Sequence, residues 1–178
     1  MQQHIHEGRC DCGHIHYRMI DQPLIVHACH CRACQRQTGS TNAVNVLIEK
    51  HKVELLSGEV TEQIVPTPTG YGQQITRCAK CKTVVWSEYL IFAERRGAPV
   101  RFIRAGTLDD PGAFPPDVHI FTSTRQPHLN LSGDVPVYPE FYDIKEVWSA
   151  ESYERFRKMK RENGRRLITT TDGSSVSI

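Results

Sequence analysis

The chain has 178 residues, 39% hydrophobic and 24% charged, with a formal net charge of only +2; this predicts one domain with extensions, long enough to bury a core. Such a balance gives no global reason to expect nucleic acid or a membrane surface as partner. The polar start Met1-Gln2-Gln3-His4 lacks a signal-peptide pattern, and no apolar run approaches the roughly 20 residues of a membrane span, so the expected location is the cytoplasm.

Short apolar stretches broken by turn residues predict strands over Ile15 to Ile20, Leu24 to Ala28, Ala43 to Ile48 and Val53 to Leu56, with a hairpin tip at Cys10 to Gly13. Gly72 to Arg77 leads into Cys78 and Thr83 to Trp86 leaves Cys81, so this C-x-x-C is expected to cap a β-hairpin as a zinc knuckle. Lys82 stands where such knuckles usually place a glycine able to take positive φ, which predicts a strained or differently shaped turn. Further strands are expected at Val100 to Ala105 and Val118 to Thr122, joined by Pro-rich connections at Pro111 to Pro116 and Val135 to Pro139. Ser149 is the expected N-cap of a helix carrying Tyr153, Phe156 and Met159 or Lys160 at helical spacing and stopping near Gly164. Arg155, Arg157, Lys158, Lys160, Arg161, Arg165 and Arg166 make it basic, and the tail from Thr169 to Ile178 is rich in Ser and Thr and expected to be mobile. No internal repeat or glycine-rich phosphate loop is present.

The seven cysteines are the strongest signal. They fall into tight clusters, Cys10-Asp11-Cys12, Cys29-His30-Cys31 with Cys34, and Cys78-Ala79-Lys80-Cys81. Thiols one to three residues apart converge on one ion, whereas a disulfide framework spreads its partners and uses an even number. Cys10, Cys12, Cys78 and Cys81 can supply four thiolates from two hairpin tips, a saturated tetrahedral zinc that contributes folding energy rather than reactivity.

Cys29, Cys31 and Cys34 leave one coordination position over. Three thiolates make zinc a weak Lewis acid, poorly suited to generating hydroxide, and favour a further sulfur ligand held deprotonated and nucleophilic. The chemistry to expect is thiol addition to an electrophile, or its reverse. A second structural zinc closed by a distant carboxylate or histidine, with His27 or His119 as candidates, is the alternative at this point. His30, between two of the cysteines, points away from them if the backbone there is extended, making it a poor fourth ligand.

The motifs Gly8-Arg9-Cys10-Asp11-Cys12-Gly13, Cys29-His30-Cys31-Arg32-Ala33-Cys34-Gln35-Arg36-Gln37-Thr38-Gly39-Ser40, Ser57-Gly58 and Cys78-Ala79-Lys80-Cys81 together resemble the glutathione-dependent formaldehyde-activating enzyme family, which includes the centromere protein V domain. Ala105 to Pro111 and Pro116 to Ile120 resemble its later segments, so the likeness covers roughly residues 5 to 142. It departs at Lys82, usually glycine, and at His128, often tryptophan. The resemblance implies a mainly β fold of Mss4-like zinc-stapled sheets, with a short helix after the second cysteine cluster and a C-terminal helix. It divides the chain into a zinc-binding domain over 1–142 and a helix with flexible tail over 143–178.

The resemblance also implies two Zn²⁺ sites, structural at Cys10, Cys12, Cys78 and Cys81 and reactive at Cys29, Cys31 and Cys34, and condensation of glutathione with formaldehyde, a carbon–sulfur lyase reaction in reverse. Arg32 and Arg36 are the candidate donors to the thiol's carboxylates, and Gly39 and Ser40 offer backbone and hydroxyl donors, with a plain helix stop as the other reading of that pair. Two further function classes compete: a non-catalytic zinc module using its basic C-terminal helix on an acidic partner, and a redox or metal-buffering C-x-C-x-x-C.

Overall fold

The computed structural model describes residues 4–95, 97–131 and 133–169, the last of these (164–169) as backbone only. Strands β1 (Ile5–Arg9), β2 (His16–Ile20) and β5 (Val53–Ser57) pair antiparallel into a small sheet ordered β1-β2-β5. The larger sheet holds β3 (Ile25–Cys29), β4 (Ala43–Glu49), β6 (Val60–Val65), β7 (Gln73–Cys78), β8 (Val84–Tyr89), β9 (Val100–Arg104) and β10 (Val118–Ile120), in the order β10-β3-β4-β9-β8-β7-β6. Its strands are antiparallel except that β10 lies parallel to β3, pairing Ile120 with Cys29. Four helices complete the described residues: α1 (Arg32–Thr38), α2 (Leu90–Glu94), α3 (Ile144–Val147) and α4 (Ala150–Thr169).

The strand alternation works as elementary pleating requires. On β2, Tyr17 and Met19 are fully buried while His16, Arg18 and Ile20 are only half covered, which is the period of a sheet with one packed face. By contrast β3 is buried at all five positions, because both of its faces are covered. Two apolar clusters result. One gathers Ile15, Tyr17, Met19, Val46, Trp86 and Ile103 with Cys10 and Cys78; the other gathers Leu47, Val100, Tyr142, Trp148, Phe156 and Met159 with Cys29. At about 1.5–3 kcal/mol for each large side chain removed from water, each cluster dominates the stability of its half. Gly8 is needed where β1 crosses Tyr17, since a Cβ there would stand 2.4 Å from the tyrosine ring and 2.6 Å from the Thr107 carbonyl.

The mainly β architecture, the short helix after the second cysteine cluster and the C-terminal helix are all present. Strands β1 and β6 and helices α2 and α3 were not among the predicted elements. Ser149 does cap α4, its Oγ accepting from the Ser152 amide at 3.1 Å. The predicted stop at Gly164 is overturned: α4 continues to Thr169, because a glycine inside a helix costs only about 1 kcal/mol and does not force an end. The tail beyond it, 170–178, lies outside the described residues. No helix among the described residues is long and apolar enough to cross a membrane.

Helix α4 is fastened to the sheet by charge as well as by Phe156 and Met159. Arg155 donates Nε and Nη2 to the Glu49 carboxylate at 2.8 and 2.6 Å, and Glu49 is only 3% exposed.

Candidate metal centres

The four-cysteine centre is built by two turns from different sheets. After β1 the chain reverses through Cys10–Gly13, and the Gly13 amide closes the turn on the Cys10 carbonyl. Between β7 and β8 it reverses again, with the Lys82 amide donating to the Cys78 carbonyl at 3.1 Å. Lys82 takes φ +64, the left-handed conformation that a glycine would adopt without strain. The expected strain is therefore real, while the knuckle keeps its shape.

The four Sγ atoms lie within 4.8 Å of one another, with Cys10 to Cys12 at 3.6 Å and Cys12 to Cys78 at 3.9 Å. A tetrahedron of thiolates at the usual 2.3 Å zinc–sulfur distance has edges of about 3.8 Å, so the donor set fits zinc as it stands. The Ile15 amide donates to Cys10 Sγ at 3.1 Å and the Lys80 amide to Cys78 Sγ at 3.4 Å, the outer hydrogen bonds that steady ligating thiolates. The Thr83 hydroxyl, with backbone amides, pulls the Cys81 thiol down to about 5, whereas burial pushes Cys10 up to about 11.

The three-cysteine centre is local. Cys29 ends β3, Cys31 is the N-cap of α1 with its Sγ accepting from the Cys34 amide, and Cys34 lies in the first helical turn. All three Sγ atoms lie within 4.8 Å of one another. Hydrogen bonds from Cys29 and Cys34 hold the Cys31 thiol well below its ordinary value. Among the described residues, no fourth His, Cys, Asp or Glu joins this group.

The two histidines considered as closing ligands are engaged elsewhere. His27 Nε2 meets the Tyr142 hydroxyl at 2.5 Å, and that hydroxyl accepts from Trp148 Nε1 at 2.7 Å. The tryptophan can only donate, so the tyrosine proton points to His27 Nε2 and that nitrogen carries no proton. Burial keeps His27 neutral, down to about 3. His119 Nδ1 pairs with His30 Nε2 at 2.9 Å, and burial lowers both rings below the ordinary histidine value. His30 thus turns away from the thiols. Closure of the second centre by His27 or His119 is corrected on these contacts.

The proposed substrate contacts sit together beside this centre. Arg32, Arg36 and Ser40, with Gln35 and Gln126, line a cavity of about 390 Å³. Gly39 takes φ 63 as the left-handed residue ending α1, its amide returning to the Gln35 carbonyl, so its visible work is to stop the helix. Gln35 is a residue that spacing did not single out. Its Nε2 donates to the carbonyls of His30 at 2.6 Å and Thr124 at 2.9 Å, and its Oε1 accepts from Arg32 and Gln126. One buried amide thereby holds the cysteine loop, the cavity's arginine and the 122–126 segment in register.

The basic α4 face is partly neutralised: Arg157 and Arg161 share Glu154, Lys158 pairs with Glu162 at 3.9 Å, and Arg155 pairs with Glu49 of β4. The side chains of Arg165 and Arg166 lie outside the described residues.

Residues 5–124 match the family model described as glutathione-dependent formaldehyde-activating enzyme. A crystal structure of a Rhodobacter sphaeroides protein is similar at 13% identity and a TM-score of 0.41, over 74% of this chain and 98% of that one. No curated protein matches the chain.

Proposed function

Since the chain belongs to the glutathione-dependent formaldehyde-activating enzyme family, we propose that it joins a small thiol, with glutathione the leading candidate, to a small aldehyde such as formaldehyde. The observation that carries this is the contrast in ligand number: three thiols within 4.8 Å with no further protein ligand among the described residues, beside a cavity lined by two arginines. A zinc ion bound there supplies a position where an incoming thiol is held as thiolate at neutral pH. In the reaction the thiol sulfur forms a bond to the carbonyl carbon, the C=O π pair moves to oxygen, and the proton lost by the thiol ends on that oxygen. The reverse is carbon–sulfur lysis.

In this reading Cys29, Cys31 and Cys34 hold the reactive zinc and Cys10, Cys12, Cys78 and Cys81 the structural one. Arg32 and Arg36 present guanidinium forks to a carboxylate of the thiol, and Ser40 adds a hydroxyl donor. Gln35 fixes Arg32 through its Oε1, so the donors are set before the ligand arrives. Residues 1–142 form the zinc-binding unit and 143–178 a helical extension, working in a reducing, cytoplasmic setting that keeps the thiols available to metal.

The test is a zinc-quantified assay of glutathione-dependent formaldehyde consumption, comparing wild type with Cys31→Ser. A rate above the uncatalysed condensation, lost in the variant together with one zinc equivalent, is expected. Fully metallated wild type that only matches the uncatalysed rate removes this activity.

A further inference from the structure

A second cavity, of about 480 Å³, lies on the other side of Ser40, which lines both. Its wall includes Arg77 at the end of β7, Lys82 from the four-cysteine knuckle and Arg104 at the end of β9, together with Gln37 and Asn42, and no acidic residue. It runs from the C-terminal end of α1, the end away from Cys31 and Cys34, to the turn that carries Cys81.

Arg104 makes this cavity unusual. It is only 7% exposed, and its guanidinium donates to neutral amide oxygens, Asn45 Oδ1 at 2.6 Å and Gln37 Oε1 at 2.7 Å. Its Nε has no hydrogen-bond partner among the described residues. A guanidinium taken out of water without a carboxylate is costly, and buried arginines are normally paired. Every ion pair among the described residues lies elsewhere, so Arg77, Lys82 and Arg104 line the cavity with no acidic partner among those residues, the Lys82 ammonium donating only to the Ala79 carbonyl at 2.6 Å. The electrostatic interaction between Arg104 and Cys34 is the rival role for this guanidinium.

We infer that this cavity is an anion site taking a carboxylate of the ligand, so that a dicarboxylic thiol spans the two cavities with one carboxylate on Arg32 and Arg36 and the other on Arg77, Lys82 and Arg104. The inference rests on the proposed thiol reading for its ligand, and on the unpaired cations for its site. Ser40 marks the crossing point between them. Lys82 occupies a position at which the family usually has glycine, so part of this site belongs to this chain in particular.

The experiment is calorimetric titration of zinc-loaded protein with S-methylglutathione, which keeps both carboxylates and has no free thiol, in wild type and in Arg77→Gln/Lys82→Gln. Both side chains reach the surface region of the wall, and an unchanged melting temperature certifies the variant. Affinity about tenfold weaker in the variant, with a shallower salt dependence, is expected. Equal affinity in the two proteins overturns the site and leaves Arg104 to its interaction with Cys34; no binding to wild type overturns it as well. The thiol reading is scored separately, by formaldehyde consumption with glutathione and with 2-mercaptoethanol, which has no carboxylate. Weakened S-methylglutathione binding without any formaldehyde consumption therefore supports the anion site while removing the reaction.

Discussion

The two cysteine centres use one kind of donor atom and differ in how the chain delivers it. Cys12 and Cys78 are 66 positions apart and come from turns belonging to different sheets, whereas Cys29, Cys31 and Cys34 fall within one short segment. A metal at the first exists only when the two sheets are together, so its binding free energy is folding free energy. At the second, the unfolded chain can also hold the ion, and that competition subtracts from any stabilisation. Ligand number thus separates a closed centre from one with room for a substrate atom, and sequence separation independently separates a staple from a platform.

The largest expected break in this contrast is Cys78→Ser against Cys31→Ser. Structural zinc contributes on the order of 10 kcal/mol, comparable with the whole net stability of a domain. Cys78→Ser should therefore lose its cooperative calorimetric transition, while Cys31→Ser keeps it and loses one of two zinc equivalents. Wild-type melting of Cys78→Ser would remove the division of labour.

Next is the anchor of α4 over the three-cysteine half. Glu49→Gln leaves Arg155 without its counter-charge and should cost about 3 kcal/mol by chemical denaturation. Burial alone would raise the Glu49 carboxyl, but the Arg155 and Lys52 charges outweigh it and hold it below its ordinary value of about 4.5. A depressed folded pKa contributes stability that is present in full above the ordinary value and is lost as pH falls through the folded one. The difference between wild type and variant should therefore be constant from neutral pH to about 4.5 and shrink below it. A difference that grows on acidification would contradict the pairing.

A smaller effect tests His27. Tyr142→Phe strands His27 Nε2 and Trp148 Nε1, which should cost about 1–2 kcal/mol while zinc content stays at wild type. Loss of zinc from the second centre would return His27 to the ligand set. The smallest is Lys82→Gly, which relieves a left-handed conformation worth about 1–2 kcal/mol against the extra unfolded-state freedom of glycine. A net gain of roughly 0.5 kcal/mol is expected, visible as a slight rise in melting temperature.

What could be read in the sequence follows physical range. Alternation on β2 and the mostly apolar run of β4 are local patterns, and thiols grouped at one to three residues announce a shared ion from spacing alone. Strand β6, Val-Thr-Glu-Gln-Ile-Val, is exposed at its four inner positions and partly covered only at Val60 and Val65, so little marks it before its neighbour β7 is in place. Gln35 and Arg104 were missed for a different reason. Their partners lie 91 and 59 positions away, and a side-chain amide bonding to a carbonyl or a guanidinium leaves no spacing signature.

The chain separation between the Cys10–Cys12 turn and the Cys78–Cys81 turn also sets a timetable during synthesis. At about 5–20 residues per second, the 66 positions between Cys12 and Cys78 correspond to roughly 3–13 s in which the first two thiols have emerged without their partners. Cys29, Cys31 and Cys34 are complete within about a second of one another. The first zinc the nascent chain can capture is therefore the one at the three-cysteine centre, and the ion that fastens the sheets comes second, when the larger sheet has yet to receive β8, β9 and β10.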